Sequence, residues 1–454
     1  MDILYEQKKN QVFQYCGTAC KVFGIYDTVI VGGGMSGAAA AIKSARGGNR
    51  TLIVEKSIRL GGSATNALVC PMMPSQAKHG DIFRDIEAGL RQKNMETRDG
   101  KMGYVWYTPE AMSEVLEELF VAVEGEILYD AVFVDCEVRK GRIYAIFVMT
   151  VEGMMAILAD QFIDASGDAV LSRAAGVEVT HGDENGNNQM SSLRFEMAGI
   201  DVEKYRAYCL SLQDEFSPLT EGYFWESAMV AGKDFKLEPK FMEGVAAGIL
   251  EKEDLRYYQC FSLPTKTGCM SFNCPHISAL TKNTDAMARS RAITEGRRMT
   301  GRLVKFLTTM MPGFEHAYLS KSASMLGVRE SYRIVGQYVL SEQDYLKRAR
   351  FTDAIAQGDW YIDVHSASKG LLHQDKFKPG EYYEIPYRSL INDKILNLIT
   401  TGRCISTTFL MQASVRIIPT VIDMGESAGA ACVLAKNNHI VLNRLNGSDI
   451  PKSL

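Results

Sequence analysis

The feature that most constrains this chain is a run of β-branched residues, Thr28-Val29-Ile30-Val31, followed at once by Gly32-Gly33-Gly34-Met35-Ser36-Gly37 and then by Ala38-Ala39-Ala40-Ala41-Ile42. That order reads as a strand, a tight glycine turn and a helix. A second strand, Arg50 to Val54, ends in Glu55, eighteen positions after Gly37, and completes a β-α-β unit with the spacing of a dinucleotide fold. Each glycine has a physical reason. Gly32 allows the turn out of the strand, Gly34 lets backbone approach a pyrophosphate, and Gly37 lets helix and strand pack closely. Met35 and Ser36 open the helix, whose N-terminal N–H groups and dipole attract the anion without a basic side chain. Glu55 has two readings. Its carboxylate either accepts hydrogen bonds from both ribose hydroxyls of an adenosine, which favours FAD or NAD over NADP, or is a solvated strand end. Lys56 either lies along the ribose or faces solvent.

Composition narrows the class. The chain has 454 residues, 46% hydrophobic and 23% charged, with 50 Lys and Arg against 54 Asp and Glu. This is globular and slightly acidic, so neither wholesale disorder nor a nucleic-acid partner is expected. At roughly 100–200 residues per domain, two or three domains are expected. No stretch approaches eighteen apolar residues, so no membrane span is expected. The first ten residues are polar and charged, without an apolar leader core, and the expected compartment is the cytoplasm. The ten cysteines are scattered, without CxxC spacing, and read mostly as buried reduced thiols. Cys16 and Cys20 are either an interacting thiol pair or one face of a helix. Cys269, Cys274 and His276 supply three ligands at no common zinc spacing, so no metal is expected. Asn273 and His276 are retained as polar groups of a substrate pocket.

Helical spacing over Glu110–Val123 gives way to short strands at Ala131–Val134, Ile143–Val151 and Met155–Ala159, as in an antiparallel meander. Phe162 to Asp168 repeats the strand-then-glycine pattern. Residues 181–365 change character, with polar, aromatic and then basic helical stretches. Arg289, Arg291, Arg297, Arg298, Arg302 and Lys305 read as a solvated helix face. Strands at 385–390 and 396–403 precede a small-residue helix over 419–436. The expected organisation is an α/β, Rossmann-like FAD/NAD(P)-binding domain formed by residues 25–180 and 366–436, with a central parallel sheet and a small antiparallel meander. An inserted α+β substrate or cap domain occupies 181–365, with peripheral extensions at 1–24 and 437–454.

Further residues carry a resemblance. Glu55 with Leu60-Gly61-Gly62-Ser63-Ala64-Thr65, Asp164-Ala165-Ser166-Gly167-Asp168, Val328 to Gly336, Ile385 to Leu390, Thr401-Gly402-Arg403 and Ser414-Val415-Arg416 through Gly429 occur in order over residues 26–435. Together they resemble the glutathione-reductase-type FAD-dependent oxidoreductases and, more distantly, the flavoprotein subunits of fumarate reductase and succinate dehydrogenase. The resemblance implies noncovalent, extended FAD, its AMP half on Gly32–Gly37 and Glu55. It places Gly61, Gly62, Ser63 and Thr65 against the ribityl chain or flavin ring, and aims the helix after Pro419-Thr420 at the flavin pyrimidine edge, with Ser414 and Arg416 close by. Gly167-Asp168 either faces the adenosine or caps the next helix. Gly402-Arg403 stands where many relatives have Gly-Asp, so Arg403 is expected to pair with phosphate.

Flavin supplies hydride chemistry; the protein supplies orientation and proton management. Arg329 and Arg333 are four apart and would share a face of a helix, either as a carboxylate clamp or, with Glu330, as a structural ion network. Asp363 and His365 alternate on a strand and form either a proton shuttle or an inert edge pair. Arg388 is a further anion-binding candidate. The expected activity is hydride transfer between flavin N5 and a small organic substrate, with a carboxylate in mind. The electron donor or acceptor and the oligomeric state, a homo-oligomer included, stay open. Two other readings stand beside it: an NAD-only dehydrogenase, and a noncatalytic FAD protein whose middle domain binds a partner.

Overall fold

The computed structural model of the chain describes residues 12–15, 17–98, 103–213, 225–277, 282–366, 370–373 and 377–451; Cys16 lies outside them. Strand β1 (Val12–Tyr15) folds back antiparallel on β2 (Thr18–Val31), which runs into the glycine turn. Helix α1 (Met35–Arg46) leaves the turn, and β3 (Thr51–Val54) returns parallel to β2, with Val31 opposite Val54. Helices α2 (Asp81–Gln92) and α3 (Pro109–Val121) follow. Thr108 caps α3 by accepting the Ala111 N–H, with Pro109 at the first turn, where its missing N–H costs nothing. Strand β4 (Glu126–Leu128) extends the parallel sheet beyond β3. Then β5 (Val132–Arg139), β6 (Arg142–Thr150) and β7 (Gly153–Asp164) form the meander.

The eight-stranded sheet has the path β4-β3-β2-β7-β6-β5, with β1 on β2 and β8 (Leu398–Thr400) on β7. β7 has partners of both directions within that sheet. Its first half, Gly153–Leu158, pairs antiparallel with β6, and its last three residues pair parallel with β8. Residues 18–24, expected as part of a peripheral extension, instead prolong β2: Lys21, Val22 and Gly24 are in register with β7. The sequence hid this because Lys21 and Gly24 break the apolar run.

The chain between β7 and β8 builds a second layer. An antiparallel five-stranded sheet takes the order 226–229, 258–262, 270–272, 195–198, 318–322, backed by helix α4 (Ala286–Met310). Its core holds Phe195, Trp225, Tyr258, Phe272, Leu303 and Phe306. The basic face expected on α4 is in part engaged: Arg289 grips Asp168, and Arg302 grips Asp254.

The chain returns through a hairpin of Ala354–Gly358 with Tyr383–Pro386 to helices α5 (Phe409–Val415) and α6 (Ile418–Asn437). Leu340, Tyr345, Ile355, Val364, Leu442 and Ile450 join α1 in the largest core. α6 is long and apolar enough to cross a membrane by length and composition, which the sequence reading did not anticipate, yet it is buried inside the protein almost throughout. The reason is its contact with α1. A Cβ at Gly425 would stand 2.1 Å from the Ser36 carbonyl oxygen, and one at Gly429 would stand 2.3 Å from that of Ala40. The two helices touch backbone to backbone. Gly425→Ala forces them apart and is expected to lower stability by about 1–3 kcal/mol in urea unfolding, as overpacking does.

Candidate functional site

The site lies along α6, from its contact with Ser36 to its N-terminus. At the first end, the N-terminus of α1 carries no side-chain cap and no acidic residue in its first turn. Its leading N–H groups point out past Gly34, where an added Cβ would meet nothing within 4 Å. Gly37 differs: a Cβ there would lie 2.0 Å from the Gly32 oxygen, so it serves helix–strand packing. Gly32 has φ +101° and lies against Ala165. The loop at Gly61–Gly62 crosses the turn, Gly61 N–H donating to the Gly33 oxygen at 2.8 Å, with Ser63 partly exposed beside it. Glu55 is buried; its two oxygens accept the Gly33 and Ser57 N–H groups at 2.7 and 2.8 Å, each retaining a second lone pair. Lys56 is exposed.

Several expected side chains are engaged within the protein. Thr65 donates to the Leu60 carbonyl at 2.6 Å, which locks its loop. Ser36 bonds Thr401 at 2.8 Å, seating Gly402 beside α1. Ser414 donates to the Trp360 carbonyl at 2.6 Å. Arg403 bonds Asp168, the Gly167 carbonyl and the Val328 carbonyl, so its charge is already paired inside the fold. Asp168 does not cap the helix Val170–Ala174; Ser166 accepts the Val170 N–H instead. Burial opposes the charge on Asp168, but Arg403 and Arg289 outweigh it and hold the carboxyl far below its ordinary range.

Gly425 lies against Ser36, and Ile418 is two turns earlier, about 10 Å along the axis at 1.5 Å per residue. At this second end the N-cap, Ile417, offers no side-chain bond, and Thr420 is buried in the first turn. Arg416 precedes it and donates to the Asp363 carbonyl at 3.1 Å, with the Asp363 carboxylate 4.0 Å away. Asp363 and His365 do share a strand face: His365 Nε2 is 3.2 Å from Asp363 Oδ2. The His276 ring stands against that of His365 at 5.0 Å and 79°, and stacks on Tyr257 at 4.3 Å. Arg329 completes the group, its Nη2 3.0 Å from His276 Nε2 and its Nη1 on the Met190 carbonyl.

The 329–333 segment is not helical; Tyr332–Ile334 is a strand paired with Val179–His181. Arg329 and Arg333 therefore do not form a clamp. Arg333 turns away onto buried Glu330, whose other oxygen accepts from Asn188, and burial raises the Glu330 carboxyl. Arg388 is also elsewhere, half exposed on Asp353 at the far end of the 354–358 strand. Thr420 aside, the polar group gathered here is Arg329, Asp363, His365 and Arg416, together with His276.

Tyr104, Tyr257 and Tyr361 face the same group and are partly exposed although their neighbours are buried, as the walls of a recess are. Trp106 stacks on Tyr104 and Trp360 on Tyr361. Asn273 is a support, bonding Arg194 and Gln259, and Gln259 in turn holds the Tyr257 hydroxyl. Sequence reasoning missed the tyrosines and Arg194, because they are scattered and carry no motif. Among the described residues no group of His, Cys, Asp and Glu could hold a metal ion, and the cysteines there are free thiols.

Residues 27–454 match the family model for FAD dependent oxidoreductases. The chain belongs to the FAD-dependent oxidoreductase family. No curated protein matches it. Among solved structures, a geranylgeranyl bacteriochlorophyll reductase-like protein from Thermoplasma acidophilum is 12% identical, with 91% of this chain and 79% of that chain covered, at a TM-score of 0.49. A flavin-dependent brominase is 12% identical over 94% and 81%, at 0.48. The p-nitrophenol 4-monooxygenase of Pseudomonas putida DLL-E4 is 12% identical over 91% and 81%, at 0.46. The family's cofactor is FAD, and the uncapped α1 N-terminus with open space at Gly34 fits its pyrophosphate.

That fit gives a separable test. Gly34 has φ −64° and ψ 177°, which alanine adopts freely. Gly34→Ala is expected to leave the urea unfolding free energy of the FAD-free protein within about 0.5 kcal/mol, while FAD affinity in equilibrium titration falls about tenfold or more, or about 1.4 kcal/mol. A second test reads the histidines. Burial, then Arg329, pushes His365 down to about 4 and His276 well below its ordinary value. An unfolded imidazole titrates near 6.5. Between about 6.5 and 4 the unfolded chain binds protons that the folded one refuses, so stability falls with falling pH by about 1.4 kcal/mol per unit per imidazole. Urea unfolding between pH 7 and 4.5 is expected to show this slope, reduced by one proton in His365→Asn.

Proposed function

We propose that this FAD-dependent oxidoreductase binds its cofactor noncovalently, the AMP half along Gly32–Gly37 and Glu55 and the flavin between the 61–65 loop and the α5–α6 junction, and that its substrate is a small organic carboxylate. Bound FAD supplies hydride transfer at the flavin. Everything else falls to the chain. Arg329 and Arg416 bind the substrate carboxylate, the three tyrosines exclude water from its carbon skeleton, and His365, oriented by Asp363, manages the substrate proton. Residues 181–365 act as the cap that covers the substrate. Arg388, Glu330 and Arg333 have structural parts in this reading.

One observation carries it. Among the described residues Arg329 has no carboxylate partner: its bonds go to a carbonyl, to Ser192 and to a neutral imidazole. Enclosure and then the neighbouring Arg416 push its guanidinium down to about 9. A largely enclosed cation beside a second cation, with Asp363 as the nearby counter-charge, is a site short of one anion. A ligand carboxylate supplies it in the paired geometry that guanidinium favours.

The purified protein is expected to be yellow and to release FAD on denaturation. Anaerobic additions of small carboxylates are expected to bleach it with one class of them. With that class, Arg329→Met is expected to raise KM about tenfold or more, a loss of about 1.4 kcal/mol, with a smaller change in kcat. Bleaching by a neutral compound with equal efficiency in Arg329→Met would overturn the carboxylate assignment.

A further inference from the structure

Two buried imidazole nitrogens at this site have no hydrogen-bond partner among the described residues: His276 Nδ1 and His365 Nδ1. Their neighbours fix what each one is. Arg329 can only donate, so His276 Nε2, 3.0 Å from its Nη2, must be the bare nitrogen, and the proton of the neutral ring sits on Nδ1. The Asp363 carboxylate can only accept, so His365 Nε2, 3.2 Å from Oδ2, carries the proton and Nδ1 is bare. The two rings touch edge to face, with Tyr257 packed on both. One orphan is therefore a donor, and the other, on a ring whose centroid is 5.0 Å away, is an acceptor. Both rings stay neutral at pH 7, held so by burial and by Arg329.

An unmet donor and an unmet acceptor on touching rings are matched by a hydroxyl, which gives one hydrogen bond and takes another in the smallest group an organic ligand can offer. A carbonyl or ether would satisfy His276 and leave His365 unpaired; an ammonium would do the reverse. The anion-binding groups adjoin the pair. Arg329 touches His276 directly, and Arg416 reaches His365 through Asp363. Arg416 Nε is itself a buried donor with no partner among the described residues.

We propose that His276 and His365 together form a hydroxyl-recognition site, and that the ligand of the neighbouring arginines is a short hydroxycarboxylate with its hydroxyl close to its carboxylate. The inference rests on the carboxylate reading of the site and adds the group that distinguishes the ligand from other acids. His276 Nδ1–H donates to the hydroxyl oxygen, and the hydroxyl proton points at His365 Nδ1. A deoxy acid of the same skeleton leaves both nitrogens unmatched, and such a site discriminates strongly against the ligand that lacks the hydroxyl.

The test uses the intact holoprotein with nitrogen-15-labelled histidine, two-bond NMR correlations assigned with single-histidine variants, and matched probes: lactate against propionate and mandelate against phenylacetate. The expected result is Nδ1–H at His276 and Nε2–H at His365 before addition. The hydroxy acid of at least one pair then shifts both Nδ1 resonances and binds about tenfold or more tightly than its deoxy partner. His365→Asn, which retains an acceptor near the Nδ1 position, is expected to preserve that preference, and His365→Leu to abolish it. Other tautomers, or equal affinity for hydroxy and deoxy acids that do bind, would overturn the inference. Flavin bleaching is not part of the readout, so failed hydride transfer with both imidazoles shifted would count against the activity and in favour of the recognition site.

Discussion

One carboxylate holds the site together. Asp168 receives both Nη atoms of Arg289 at 2.8 Å, Arg403 Nη2 at 2.9 Å and the Ser331 hydroxyl at 2.6 Å. Through those bonds the turn after β7, the turn after β8, helix α4 and the strand leading to Arg333 meet at a single side chain. Two guanidiniums on one carboxylate leave a positive balance, and removing the shared anion from such an enclosed pair ordinarily costs about 3–5 kcal/mol. The arrangement also explains why Arg329, two residues before Ser331, has no hydrogen-bonded carboxylate among the described residues. Its neighbours Glu330 and Ser331 are fixed by other partners, so the backbone cannot relax to find it one.

The same logic runs through the far end of α6. Gln412 donates to the Arg329 carbonyl, Gln189 to Gln412, and Ser414 to the Trp360 carbonyl. Helix α5 thus fixes the backbone on either side of the recess, and the titratable groups inside it are left with few internal partners. Rigid backbone around underpaired side chains is the condition under which a ligand, and not a rearrangement of the protein, supplies the missing bonds.

The cofactor half was legible because its constraints are local. Gly32, Gly34 and Gly37 act within one turn, and Glu55 follows one strand later, so spacing alone places them. The meander was legible from its alternation. Thr65, Ser414 and Arg403 were expected at the cofactor, but their bonds go to carbonyls and to Asp168, partners that no motif encodes. The second end of the site was the reverse: Asp363 and His365 could be paired from strand alternation, whereas Arg329 depended on a helix that does not form. His276 was retained from the sequence as a pocket group, whereas Tyr104 and Tyr257, far apart in the chain, carry no motif that places them beside each other.

The double role of β7 has a consequence for how the molecule is made. Its last three residues wait for β8, and Ser36 waits for Thr401, 365 positions later. Contacts so distant in sequence form late, after their large loop-closure entropy has been met. During synthesis the glycine turn and its helix leave the ribosome before α6 and lack its backbone surface, whereas the five-stranded sheet, with all its strands between residues 195 and 322, has every partner strand earlier. The glycine turn, early in the sequence, therefore gains its last packing partner late, and a chain truncated before α6 would keep every strand of the five-stranded sheet while leaving α1 without its backbone contact.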